Sequence, residues 1–312
     1  MRIFIIFFLL NICNAFHNSK LWNLMNKPLK EKARIWFINR AEKKGIKWKE
    51  ITDFYRSDHA KKEIHNIFNE INNIDINYPE YYTKSFHGYD EGNLNWLAAY
   101  ENEASIISMS SGYYKNVSPE ESSLLLRTNF NNLIYNNLKN KNISNILDLG
   151  CSIGISTEFI KNLFPNQVNI IGLDLSPYFI SIGKFNSIRK KSNINYIHAN
   201  AEKTNLDYNS FDLICSSFMF HELPPIARNN ILEEIYKLLS PGGIVAILDL
   251  DPKKLKLILK KDNWKKIAFE STEPHINSYY KCDMLKDLKN NKFNNIKKQD
   301  NDPYNSVWIA TK

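Results

Sequence analysis

Between residues 144 and 250 short apolar runs alternate with helical patterns, and no other feature of this sequence restricts the fold as strongly. Five runs, Asn145–Leu149, Val168–Asp174, Ile194–His198, Phe211–Ser216 and Ile244–Asp249, are rich in Ile and Val and too short for buried helices, so they are predicted as buried strands. The intervening segments carry helix signatures. Ser176-Pro177 reads as an N-cap with Pro at the first helical position, and Tyr178, Ile182 and Phe185 then share one stripe. Ile231, Ile235, Leu238 and Leu239 form a second stripe, expected to end in a turn at Ser240-Pro241-Gly242-Gly243. Alternation of this kind makes βα units, hence a parallel sheet covered by helices on both faces. Final strands near Ile296 and Val307–Ala310 would complete it. The expectation for residues 141–312 is therefore α/β: a doubly wound, mostly parallel, seven-stranded sheet. A ligand in such a sheet lies beyond the carboxyl ends of the strands, at the topological switch point.

Residues 33–140 read differently, as a helical N-terminal cap. Ile35, Phe37, Ile38 and Ala41 fall at helical spacing, Gly45 ends that pattern, and Trp48 to Tyr55 begins another. Further helices are expected over Asn95–Ser108 and Pro119–Leu138. An aromatic, turn-rich segment, YPEYYTKSFHGYDEGNLNW, occupies residues 78–96.

The net charge of +8 invites a nucleic-acid partner, but its location argues against one. Residues 16–50 hold ten Lys or Arg against three Glu, and Arg2 adds one more, which accounts for the whole excess. The remainder of the chain is near neutral, so no nucleic acid is expected. Arg2, the apolar run Ile3–Leu10 and Cys13-Asn14-Ala15 have the form of a signal peptide over residues 1–15, too short to span a bilayer. A basic leader or transit segment over 16–32 follows. A signal with a basic extension predicts a plastid-type organelle reached by the secretory route, with secretion or an endomembrane lumen as the alternative. Cys151, Cys215 and Cys282 would remain, an odd and scattered set without a disulfide framework. No transmembrane span is expected in the mature chain.

The first strand runs into NILDLGCSIGIST. Gly150 and Gly154 permit a tight turn and close approach of backbone to a ligand, and Cys151 and Ser152 lie between them. The following helix offers free N–H groups to an anion such as a methionine carboxylate, while Asp148 attracts an ammonium. Asp174 closes the second strand, where a carboxylate can accept from both hydroxyls of a ribose. The dinucleotide fingerprint G-x-G-x-x-G fits poorly, because Ser152 and Ile155 follow Gly150.

The pattern D-x-G-x-[GS]-x-G with an Asp ending the next strand resembles motifs I and II of class I S-adenosylmethionine-dependent methyltransferases, whose fold is Rossmann-like. HANAE (His198–Glu202), FDLICSSF (Phe211–Phe218) and LSPGGIVAILD (Leu239–Asp249) resemble that family's later motifs. The resemblance implies S-adenosyl-L-methionine as cofactor. It implies contacts from Asp148, Gly150, Cys151, Ser152, Gly154, Asp174, Leu175 and Ser216, with Asn200 and Ala201 facing adenine. Ser152, where the family usually has glycine, is a small departure. The cofactor half is similar to the methyltransferase type 11 group, which includes quinone-biosynthesis enzymes. The segments around FMFHELP and ESTEPHINSYY are similar to uncharacterised chloroplast and cyanobacterial methyltransferases. His275, Tyr279 and Tyr280 would lie in the connection that covers the active site in such proteins.

Methyl transfer from a sulfonium depends mainly on alignment, and a base is required only where the acceptor must lose a proton. His221, just past the fourth strand, is the candidate base; hydrogen bonding to a neighbouring loop is its alternative role. Glu222 would either orient it or lie in solvent. His-Glu-Leu-Pro-Pro is not a zinc motif, since residue 225 is Pro, and no metal site is expected. Asp249 also ends at the pocket edge, and N-capping the helix starting near Pro252 is its favoured role. His87, with Tyr81, Tyr82, Phe86, Tyr89, Asp90, Glu91 and Trp96, would line the acceptor pocket or else pack the cap. The expected activity is methylation of a small apolar or aromatic acceptor of the quinone or isoprenoid-precursor type. A protein or RNA methyltransferase and a non-catalytic cofactor-binding module are the alternatives.

Overall fold

The computed structural model describes residues 34–138, 141–164, 168–261, 266, 269–270 and 272–312. The leader expected over 1–15 and 16–32 lies outside the described residues. Seven strands form one sheet in the order β3-β2-β1-β4-β5-β7-β6. They are β1 (Asn145–Leu149), β2 (Asn169–Asp174), β3 (Asn195–His198), β4 (Phe211–Ser217), β5 (Leu239–Leu250), β6 (Asn294–Asp300) and β7 (Asn305–Thr311). The first five pair in parallel, and β7 runs antiparallel between β5 and β6. The order reverses between β1 and β4, and all the cofactor motifs fall at that end of the sheet.

Alternation along each strand divides the interior in two. Leu147, Leu149, Ile214, Val245 and Ile247 face one side, where they pack with Ile231, Leu232 and Ile235 of α7 (Pro225–Leu238) and Leu288 of α10 (Met284–Asn290). Ile146, Leu213, Cys215, Ala246 and Leu248 face the other side, against α4 (Pro119–Asn137), α5 (Ile155–Asn162) and α6 (Pro177–Lys190). Leu126, Phe130 and Ile134 of α4 are buried in that second layer. The last helix before the sheet thus packs directly on it: an apolar stripe shows which face of a helix is buried but not against what.

Helix starts follow their caps. The Ser176 hydroxyl accepts from Phe179 N, with Pro177 at the first helical position, and Ser118 and Glu121 form a capping box at α4. Ser240-Pro241-Gly242-Gly243 does not form the expected turn. It is the start of β5, where the register jumps so that Phe211 faces Leu239 while Leu213 already faces Ile244. The extra β5 residues bulge, with Gly242 at φ +76°.

The cap comprises helical residues 34–43, α1 (Trp48–Arg56), α2 (Asp58–Ile71) and α3 (Trp96–Ser110). Tyr55, Ile64, Ala99 and Tyr100 join Ile153 and α6 residues Phe179, Ile182 and Phe185 in one cluster. This seats the cap beside the β1–α5 loop. Among the described residues no helix is long and apolar enough to cross a membrane.

Candidate active site

The loop after β1 is bonded mostly to itself and to β2. Gly150 N and Cys151 N both donate to Leu173 O, at 2.8 and 3.0 Å, and Gly154 N donates to Cys151 O. Ser152 N donates to Asp174 Oδ2 at 2.8 Å. Gly150 and Gly154 have φ of +71° and +77°, which disfavours any side chain there. The space a Cβ would take is nevertheless filled by protein rather than left to a ligand. At Gly150 it would come within 2.7 Å of Met219 Sδ, and at Gly154 it would strike the Tyr196 phenol. Cys151 turns its thiol into the core on the α4–α6 side, so only its backbone serves the loop.

Two buried polar atoms stand at these strand ends without a partner. Asp148, 1% exposed, receives the Thr157 hydroxyl on Oδ2 at 2.6 Å, but its Oδ1 has no partner, and neither has Ser216 Oγ. Leaving such atoms unpaired is costly, which points to a polar ligand group at this end of β1 and β4. Burial pushes the Asp148 carboxyl up to about 7. Asp174 is pushed by burial to about 6, against hydrogen bonds from the backbone N–H of Ser176 and Ser152 and from the Tyr82 hydroxyl. Beyond β2 and β3, Leu175 and Ala201 are buried and Asn200 Oδ1 accepts from Glu202 N, so this rim combines apolar and amide surface.

The aromatic segment splits between two tasks. Tyr82 reaches Asp174, Tyr81 donates to Glu202 at 2.6 Å, and Tyr78 hydrogen-bonds His198 at 3.1 Å, closing the cap over β2 and β3. Tyr89 and Trp96 turn inward instead. Tyr89 donates to Glu101, and Trp96 stacks on His65 and packs edge-on to Tyr178. They are cap core and do not enclose a ring, because helices α2, α3 and α6 meet there. Glu91 is exposed.

A second cluster lies beyond β4 and β5. His221 Nδ1 sits 2.7 Å from Asp249 Oδ1, and both side chains are buried. Asp249 also accepts from the backbone of Phe220, His221 and Leu250. It does not cap the helix after β5. Asp251 does, accepting from Lys253 N and Lys254 N at the start of α8 (Pro252–Lys260). Two residues of register decide this: the strand points Asp249 back toward the β4 loop. Burial alone would lower the His221 imidazole, but the Asp249 carboxylate overrides it and holds the group at about 9. His87, partly exposed and at φ +52°, lies 3.0 Å from Glu273 and 3.7 Å from Glu222. Glu222 thus pairs with His87 rather than orienting His221. Nothing in the sequence marks Glu273 beyond its place among acidic residues before Pro274. Tyr279, in α9 (Ile276–Tyr279), places its ring 6.1 Å from His221 and donates to Leu250 O.

Residues 146–243 match a methyltransferase-domain family model. Over 105 residues the chain is 30% identical to an uncharacterized methyltransferase of Synechocystis sp., covering 34% of this chain and 46% of that protein. It is 29% identical over 104 residues to a demethylmenaquinone methyltransferase of Shouchella clausii, covering 33% and 43%. A malonyl-[acyl-carrier protein] O-methyltransferase of Ilyobacter polytropus is 35% identical over 103 residues, covering 33% and 38%. The chain thus spans less than half the length of the curated relatives it matches. From β1 to the start of β5, the chain is therefore similar to methyltransferase domains.

Proposed function

We propose that the chain transfers the methyl group of S-adenosylmethionine to a small apolar or aromatic acceptor bearing an acidic hydroxyl, of the quinol or isoprenoid-precursor type. The His221–Asp249 pair carries this reading: a buried, oriented imidazole beyond β4, flanked by the Phe218 and Tyr279 rings. The cofactor supplies an electrophilic methyl on a sulfonium that leaves as a neutral thioether. Asp174, Asn200 and Ala201 would hold its nucleoside; Asp148, Ser152 and Ser216 would hold its amino-acid end.

The rest is positioning and proton handling. Hydrogen bonding to Asp249 fixes the imidazole with its proton on Nδ1, leaving Nε2 to take a proton. A base held near 9 is well matched to a phenolic hydroxyl, whose ordinary pKa is about 10. Proton transfer makes the acceptor anionic, and the imidazolium stays beside it as counter-charge. Tyr279 and Phe218 flank His221 and limit water around that ion pair. The names of the matched relatives include both a quinone-type and a carboxyl-type acceptor, so they support the cofactor half and leave the acceptor to this site.

The reading is tested by S-adenosylhomocysteine formation with a panel of quinols, phenols and non-ionisable isosteres. Turnover confined to acceptors with an ionisable hydroxyl supports it. Equal turnover of the methyl ethers would contradict it.

A further inference from the structure

We propose that Arg127 binds the carboxylate of the cofactor's amino-acid end and, with Asp148, makes a matched pair for that zwitterion. The proposal rests on S-adenosylmethionine being the cofactor.

Arg127 lies on α4 and is 3% exposed. One terminal nitrogen donates to Ser123 O and Oγ at 2.9 and 2.8 Å, but Nε is buried without a partner. A buried guanidinium with an unpaired donor is expensive unless a ligand completes it. The nearby acid is Asp148, likewise buried and likewise with one unpaired atom, Oδ1. The two attract electrostatically, yet no ion pair within bonding distance joins them. An unpaired cation and an unpaired anion, close but not touching, are what an α-ammonium and an α-carboxylate require between them.

The placement agrees. Asp148 is the penultimate residue of β1, tied by its other oxygen to Thr157 in the first turn of α5. The Arg127 guanidinium lies 5.9 Å from the Phe159 ring of the same helix. The two residues therefore bracket the β1–α5 loop. That loop has few amides to offer an anion, since Gly150, Cys151, Ser152 and Gly154 already donate within the protein. A cation from outside the loop supplies what those amides do not.

The test is calorimetric and needs no turnover. Wild-type protein and the variants Arg127→Met and Arg127→Lys are titrated with S-adenosylmethionine, its decarboxylated analogue and 5′-methylthioadenosine. A charge-assisted contact predicts that wild type prefers S-adenosylmethionine over the decarboxylated analogue by roughly 10- to 150-fold. Arg127→Met should erase that preference while leaving the other two ligands within about twofold of wild type. Arg127→Lys should retain part of it. Wild type binding both sulfonium ligands equally, or Arg127→Met keeping the preference, overturns the assignment and returns the carboxylate to the α5 N-terminus. Equal loss of all three ligands makes Arg127 structural. Wild type binding none of the three refutes the cofactor reading itself. Should Arg127→Met fail to fold, the wild-type preference and the Lys variant still decide.

Discussion

His221 and Asp249 face each other across the ends of β4 and β5 with Nδ1 and Oδ1 2.7 Å apart, and that contact sets the proton affinity of the site. The carboxylate keeps the imidazole protonated up to about 9, so in the free enzyme the base is neutral only above that pH. The kcat/KM profile should therefore rise with pH to a limb near 9. Asp249→Asn removes the charge that raises the imidazole while burial still lowers it. Its limb should move toward neutrality while the plateau falls by about 10²–10⁴-fold. A pH–rate series on both proteins checks this; an unmoved limb in the variant excludes His221 as the group observed.

Asp148 makes cofactor binding pH-dependent in the opposite sense. Its carboxyl is held up to about 7 by burial, and an ammonium ligand requires it ionised. S-adenosylmethionine affinity should therefore weaken as pH falls through about 7, with protons released on binding near neutrality. Stability follows linkage: an acid whose folded pKa lies above its unfolded value costs the folded state stability as pH rises between the two. Asp148→Asn lifts that cost. The unliganded variant should melt about 2–4 °C above wild type at pH 8 for each 1 kcal/mol regained, and show no such gain at acid pH. Differential scanning fluorimetry with and without cofactor reads both effects.

At Asp174, four donors already compete for about four acceptor positions: the backbone N–H of Ser152, Leu175 and Ser176 and the Tyr82 hydroxyl. A ribose hydroxyl fits only if Tyr82 gives way. Tyr82→Phe should thus tighten S-adenosylmethionine binding by about 2- to 10-fold, and Asp174→Asn should weaken it by about 10- to 150-fold. Isothermal titration separates the outcomes. Weaker binding by folded Tyr82→Phe would mean that the tyrosine closes on the bound nucleoside instead of competing with it.

The strands were readable because a buried parallel strand is a short unbroken apolar run: β1 has the expected bounds, and β2–β4 each differ by one residue at one end. Local chemistry was readable as well, as with the Ser176 cap. What the sequence hid was long-range. Asp249 and Asp251 are two residues apart and both precede a helix, and only the strand's direction shows which one caps it. Gly154 is a glycine on account of Tyr196, a residue 42 positions later that no spacing rule connects to it. Glu273 meets His87 across 186 residues, and Arg127 comes near Asp148 only because α4 packs on the sheet.

The His87–Glu273 contact predicts a catalytic effect without a large stability effect. His87 is partly exposed, and ion pairs of that kind add little to folding. His87→Gln should keep the melting temperature and cofactor affinity near wild type while turnover falls at least about tenfold, about 1.4 kcal/mol. Glu91→Gln, altering an exposed residue, should be silent. Full turnover by His87→Gln would make this part of the cap purely structural.

The central claim, methyl transfer to a small acceptor beneath the cap, is tested most directly by mass spectrometry. Wild-type and Asp249→Asn proteins are incubated with deuteromethyl-labelled S-adenosylmethionine and a whole-cell extract, which is then separated into organic-soluble, protein and RNA fractions. The account predicts a labelled small compound in the organic-soluble fraction with wild type and its near-absence with the variant. Label confined to protein or RNA, or no label although the cofactor binds, would contradict it.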